Sequence, residues 1–289
     1  MISTLFVPAS GSDTDDRVFA TALAVAQPLA AHLKFFHLHL PATEAARYAS
    51  HIDFCMGPAI KDALDNLQAR EDTLAATAVA RYRNFCREHG IPEQQTPGAA
   101  KGVSARWLEE SHDVLGRLMF HARHSDAVVL GRSRNRDYMP DGLIESLLVG
   151  CGRPVIIAPD APPRSSSGTM LVAWKEAPES ARALTAALPL LEQAEQIVLL
   201  AIDEKGAASR EAMDDLAREL MWHDIAAQVL VLPSNGRPAN SQLAQTAVAL
   251  NADMLVIGGF GHSQLREQVL GGVTQALIAA CAVPVFIMH

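Results

Sequence analysis

The chain has 289 residues, of which 49% are hydrophobic and 19% charged; this is a globular profile that excludes wholesale disorder and leaves room for two domains. Net charge is −8, with 16 basic against 19 acidic residues in 1–160 and 8 against 13 in the remainder. Neither part carries the basic excess that a phosphate-backbone binder needs, which argues against nucleic acid as a partner.

Residues 2–8 read as a short buried strand ending in a polar turn. The longest uncharged apolar stretch follows at 18–33. It is too short for a membrane span, and Asp13, Asp15 and Asp16 stand before it where a secretion signal would be basic. It reads as a buried helix of a cytoplasmic protein, with no membrane partner. Further strands are expected near 33–40, 103–109, 126–130 and 154–158, with one long helix over 61–89. A Pro/Ser/Gly-rich linker occupies 161–168. Beyond it, strands at 169–174, 196–202, 227–232, 253–257 and 284–288 alternate with helices near 178–193, 208–222, 239–250 and 272–280.

The two parts repeat one another. Asp126-Ala-Val-Val-Leu-Gly131 parallels Asp253-Met-Leu-Val-Ile-Gly258, and Cys151-Gly-Arg-Pro154 parallels Cys281-Ala-Val-Pro284. Matched positions lie 165 residues apart at Val7 and Val172 but 127 apart at Asp126 and Asp253, so the first half holds 38 extra residues in between. Alternating strands and helices imply right-handed βαβ crossovers. Runs such as Val128-Val129-Leu130 lack alternation, as strands covered on both faces do. The expectation is an α/β protein of two tandem Rossmann-like, doubly wound domains, 1–160 and 169–289, each a five-stranded parallel sheet flanked by helices. A ligand would bind beyond the carboxyl ends of the strands.

The fourth strand of the second half runs into Gly258-Gly-Phe-Gly261-His262-Ser, and Gly271-Gly272-Val273-Thr274 opens the last helix. Glycines allow close backbone approach to a phosphate, and the amides of a helix start supply oriented donors. Glycines that merely make a tight turn are the competing reading. The spacing Gly258-x2-Gly261-x9-Gly271, followed by Cys281-x2-Pro284-Val285, resembles the universal stress protein family, whose nucleotide loop reads G-x2-G-x9-G-[ST]. The strand-plus-turn openings Leu5–Ser12 and Leu171–Trp174 are similar to that family's first strand, so the resemblance covers both halves.

The resemblance implies a regulatory stress-response module binding an adenine nucleotide, ATP with or without Mg2+, in the second half. Phosphates would lie on Gly258, Gly261, Gly271, Gly272, Val273 and Thr274, with base and ribose near Ala173, Trp174, Lys175 and Ile202, and His262 among the nucleotide-binding residues of the loop. It also implies that the fifth strands pair within the chain, 155–158 against 285–288, with a homodimer and an unidentified protein partner as further possibilities. Two departures bear on this. Gly272 replaces the family's Ser or Thr, and Ser10 and Lys175 stand where ATP-binding members place an Asp. The alternatives are a scaffold with eroded sites or a slow ATP hydrolase; no catalytic residues are identified.

Other candidates weigh less. In the first half Gly131-Arg-Ser-Arg134-Asn-Arg136 replaces the glycine loop and reads as a solvated loop before an anion site. Ser10-Gly-Ser-Asp13-Thr14 is similar to the SGGxDS loop of ATP pyrophosphatases but is one residue short. His37/His39 and His121/His124 have spacings that a metal could use, though no carboxylate or Cys is placed beside them. Cys55, Cys86, Cys151 and Cys281 form no CxxC pair and read as structural thiols.

Overall fold

The computed structural model describes residues 1–39, 58–98, 102–111, 113–132, 142–163, 167–204, 209–259 and 272–289. Strands β1 (Thr4–Pro8), β2 (His32–His39), β3 (Ser104–Ser111), β4 (Ala127–Leu130) and β5 (Val155–Ile157) come from the first half. Strands β6 (Thr169–Ala173), β7 (Gln196–Asp203), β8 (Gln228–Pro233), β9 (Met254–Gly258) and β10 (Val285–Met288) come from the second. All ten join one sheet in the order β3-β2-β1-β4-β5-β10-β9-β6-β7-β8. Pairing is parallel within each half. The halves meet at one antiparallel seam, Val285 against Ile157, Phe286 against Ile156 and Ile287 against Val155, as the resemblance implies. Each half thus closes the edge that the other would leave open. Because the seam is antiparallel, the carboxyl ends of the two sets of strands lie at opposite edges of the common sheet.

The helices are α1 (Asp15–Leu29), α2 (Pro58–Glu88), α3 (Val114–Arg123), α4 (Leu143–Gly150), α5 (Pro178–Leu191), α6 (Arg210–Leu220), α7 (Ala239–Ala249) and α8 (Gly272–Ala280). One face of the sheet packs on α1, the C-terminal part of α2, α5 and α6, around Phe19, Phe35, Tyr82, Leu190 and Met213. The other packs on α3, α4, α7 and α8, around Phe6, Phe36, Leu118, Leu147, Leu243 and Leu277. Burial of both faces explains the unbroken apolar runs: every residue of β4, and Val285, Phe286 and Ile287 of β10, is buried. Local signals start some helices. Pro178 occupies the first turn of α5, and Ser209 Oγ accepts from Ala212 N at 3.0 Å to cap α6.

The helix expected over 18–33 is corrected. It begins earlier, at Asp15, and stops at Leu29, so Leu33 belongs to β2. Pro28 sits in its last turn, and Ala30 takes a left-handed conformation at φ +49° that terminates it without a glycine.

Candidate functional site

At the carboxyl ends of the second-half strands, β9 closes on Gly258. A Cβ there would fall 2.6 Å from Ser180 N and 2.7 Å from the carbonyl carbon of Glu179, so only glycine lets the first turn of α5 approach this strand end. Gly259 N donates to Met288 O at 2.7 Å, and its own Cβ would strike Ile287. Across the loop, α8 opens at Gly272, which is exposed with open space where a Cβ would stand. Val273 is exposed and Thr274 is buried in the first turn. Gly261, His262 and Gly271 lie outside the described residues.

The expected base and ribose positions divide between two faces. Ala173 and Ile202 pack toward the α7/α8 face, the one that carries Thr274 and Leu277. Trp174 packs toward the α5/α6 face, with Nε1 3.4 Å from Glu176 Oε2. Lys175 and Glu176 are exposed. The structure therefore brings Ala173, Ile202 and Thr274 to one side of the strand ends and sets Trp174 on the other.

The same place in the first half is built differently. Asp15 is 1% exposed and accepts from Ser10 N, Ser10 Oγ and Gly11 N at 2.8–2.9 Å. Burial raises its pKa, opposed by these hydrogen bonds. Ser10, Ser12 and Thr14 hydroxyls bond one another in series at 2.7 and 2.8 Å, so the polar groups of the Ser10–Thr14 turn are largely spent on one another. Above them runs α2. Its later residues Ala78, Tyr82 and Phe85 pack on the α1 face, whereas Leu67 packs with Phe36 on the opposite face. The helix consequently crosses the carboxyl ends of β1 and β2. A Cβ on Gly11 would fall 2.3 Å from Leu74 O, and Gln68 Nε2 and Asp72 Oδ1 lie 3.2 and 3.3 Å from His39 Nε2. Arg81 pairs with Asp16. The added residues of the first half, at least those in α2, thus cover the ends of β1 and β2, whereas among the described residues no such helix crosses the end of β6 near exposed Lys175.

Among the described residues no group of three or more His, Cys, Asp or Glu could hold a metal ion. His37 is buried, donates from Nδ1 to Ala9 O at 2.8 Å, and has its pKa lowered by burial. His121 lies between Phe36 and Glu110, with Nε2 2.9 Å from Glu110 Oε1. His124 Nδ1 bonds Phe120 O within its own helix end. Cys86, Cys151 and Cys281 are free thiols, and burial raises the pKa of each.

The solvated-loop reading of the arginine run is corrected at its first member. Arg132 is buried, donates from Nη2 to Cys281 O in the other half, and lies 3.6 Å from Asp160. Arg134 and Arg136 lie outside the described residues. Sequence reasoning missed Arg132 because its partner becomes a neighbour only through the β5–β10 seam.

Residues 167–289 match the model of the universal stress protein family. The second half of the chain is a universal stress protein domain. Solved structures extend the likeness in fold to the whole chain. A universal stress protein from Archaeoglobus fulgidus DSM 4304 is 14% identical with a TM-score of 0.65, covering 99% of this chain and 97% of that one. A functionally unknown protein from Pseudomonas aeruginosa PAO1 gives 15% and 0.57, covering 99% and 92%. A putative universal stress protein from P. aeruginosa UCBPP-PA14 gives 14% and 0.55, covering 99% and 93%. No curated protein matches the chain by sequence. In the universal stress protein domain, Gly258, Gly272 and Thr274 stand at the loop's two described ends, and among the described residues no helix is long and apolar enough to cross a membrane.

Proposed function

We propose that the chain is a nucleotide-dependent stress or signalling module that holds ATP in its universal stress protein domain and acts through ligand occupancy, not through efficient catalysis. The observation that carries this reading is the pairing of a glycine-closed strand end at Gly258 with a helix that opens on Gly272. Phosphates would lie on the loop Gly258, Gly261, His262, Gly271 and on the first-turn groups of Gly272, Val273 and Thr274, where backbone N–H groups point outward and the dipole favours an anion. Ala173 and Ile202 offer an apolar surface beside Thr274, and exposed Lys175 adds a cation. A cation at the end of β6 suits the phosphates and not a divalent metal, so Mg2+ would arrive with the triphosphate. The first half holds no nucleotide in this reading, because α2 crosses the equivalent strand ends.

Thermal unfolding with and without millimolar Mg·ATP, with GTP as control, tests the proposal. Saturation at about 100 times the dissociation constant adds ~2.7 kcal/mol, which is several degrees for a chain of this size. A shift with ATP and none with GTP is expected; no shift in ligand-free protein refutes it. The departures at Gly272 and Lys175 favour a second reading, a scaffold with an eroded site. That reading expects the parent to bind no ATP and Gly272→Ser, which restores a hydroxyl worth about 0.5–1.5 kcal/mol, to create binding.

A further inference from the structure

Arg132 stands just past the carboxyl end of β4, and the repeat places Gly259 at the matching position of the second half. Its side chain, 7% exposed, crosses the β5–β10 seam. Nη2 donates to Cys281 O, and Nη1 lies 3.6 Å from Asp160 Oδ2, whose other oxygen is 3.0 Å from Arg17 Nη1. Cys281 N in turn donates to Leu277 O at 3.0 Å, so its carbonyl belongs to the C-terminal turn of α8. That turn has no basic residue of its own. Helix C-termini collect partial negative charge and unpaired carbonyls, and a guanidinium satisfies both. The first half therefore supplies the cation that α8 lacks.

We propose that Arg132 is a positioning residue for the ligand site of the second half, acting through α8. The inference rests on the nucleotide reading above. α8 has nine residues, a rod of about 13 Å that is too short to hold itself helical without tertiary anchors. Its N-terminal end carries Gly272, Val273 and Thr274, and its C-terminal end is gripped by Arg132. Fixing one end of so short a helix fixes the direction of the amides at the other. The matching position of the second half makes no such contact: Gly259 has no side chain to send across the seam toward Cys151 and α4.

Hydrogen–deuterium exchange and ATP titration of the full chain test this, using Arg132→Met, Arg132→Lys and, as a control, Arg17→Met, which loses the outer partner of Asp160 without touching α8. Exchange in 274–280 is expected to quicken in R132M, with ATP affinity falling about fivefold, at the low end of typical site-to-site coupling. R132K, which keeps the charge, is expected to recover part of both effects, and R17M to change neither. In the unmutated protein, ATP is expected to slow exchange at Gly131 and Arg132, since coupling is reciprocal. If the parent binds no ATP yet R132M still quickens α8 alone, the nucleotide reading falls and the anchoring of α8 stands. Unchanged α8 exchange in R132M, faster α8 exchange with unchanged ATP affinity, or a uniform rise in exchange across the chain would each overturn the proposal.

Discussion

Gly11→Ala probes the crossing of α2 over the first-half strand ends. Two penalties separate cleanly here. Gly11 has φ +79°, where an L-residue costs roughly 1–2 kcal/mol, and its added Cβ would fall 2.3 Å from Leu74 O and 2.9 Å from Leu74 C. These are backbone atoms of a packed helix, so the clash cannot be relieved by turning a side chain, and overpacking of this kind costs about 1–3 kcal/mol. Gly90 provides the matched control: φ is +61°, but nothing lies within 4 Å of its Cβ position. Gly90→Ala is therefore expected to cost about 1–2 kcal/mol and Gly11→Ala about 2–5 kcal/mol. At roughly 2–4 °C per kcal/mol, thermal unfolding should place G11A about 4–20 °C below the parent and clearly below G90A. Equal midpoints for G11A and G90A would refute the backbone contact between α2 and the β1–α1 turn, and with it the argument that α2 fills the first-half crevice.

Further outcomes follow from other sites. Gly258→Ala should lose about 1–3 kcal/mol in urea unfolding because its Cβ meets backbone at Ser180 and Glu179, whereas Gly272→Ala, with open space, should be neutral or slightly stabilising; a neutral G258A would contradict the α5–β9 approach. Glu110 is held down to about 2 by its hydrogen bonds to Arg117 and then to His121, against an ordinary 4.5. Its folded-state value is depressed, so its stabilisation is present above about pH 5 and is lost as pH falls from there toward 2; with the pair partly solvated this is about 1 kcal/mol, and Glu110→Gln should flatten that part of an acid titration of stability. Lys34 is buried with Nζ donating to His124 O and Ser125 Oγ, and burial brings it down to about 8 from 10.5. Because the folded state holds the proton less tightly than the unfolded one, stability should rise between pH 8 and 10.5, an increase that Lys34→Met should abolish in denaturant titrations.

Strand positions were legible because every central strand is covered on both faces, and Val128–Leu130 and Val285–Ile287 announce that by having no polar alternation. The β5–β10 pairing was legible through the family resemblance, which implies that the fifth strands meet. Helix limits were less so. Between Leu29 and Leu33 nothing polar marks the stop, and a left-handed alanine does what a glycine would have signalled. The long helix was visible in the apolar spacing of 61–89, but its course was not, since Leu67 and Phe85 are equally apolar while packing on opposite faces of the sheet. In the candidate site, glycine spacing marked both ends of the second-half loop. Arg132 stayed hidden because an arginine among polar neighbours looks solvated until the other half of the chain is folded against it.

The seam has a consequence for how this molecule can vary. When two identical copies meet about a two-fold axis, every residue at the interface is present twice, and a substitution that helps on one side is imposed on the other. Here both sides of the equivalent junction are encoded separately, with arginine at 132 and glycine at 259. Each side can be changed alone, so a contact made by one half carries no obligation on the other. Joining two similar folds in one chain thereby turns a self-complementary junction into a directional one.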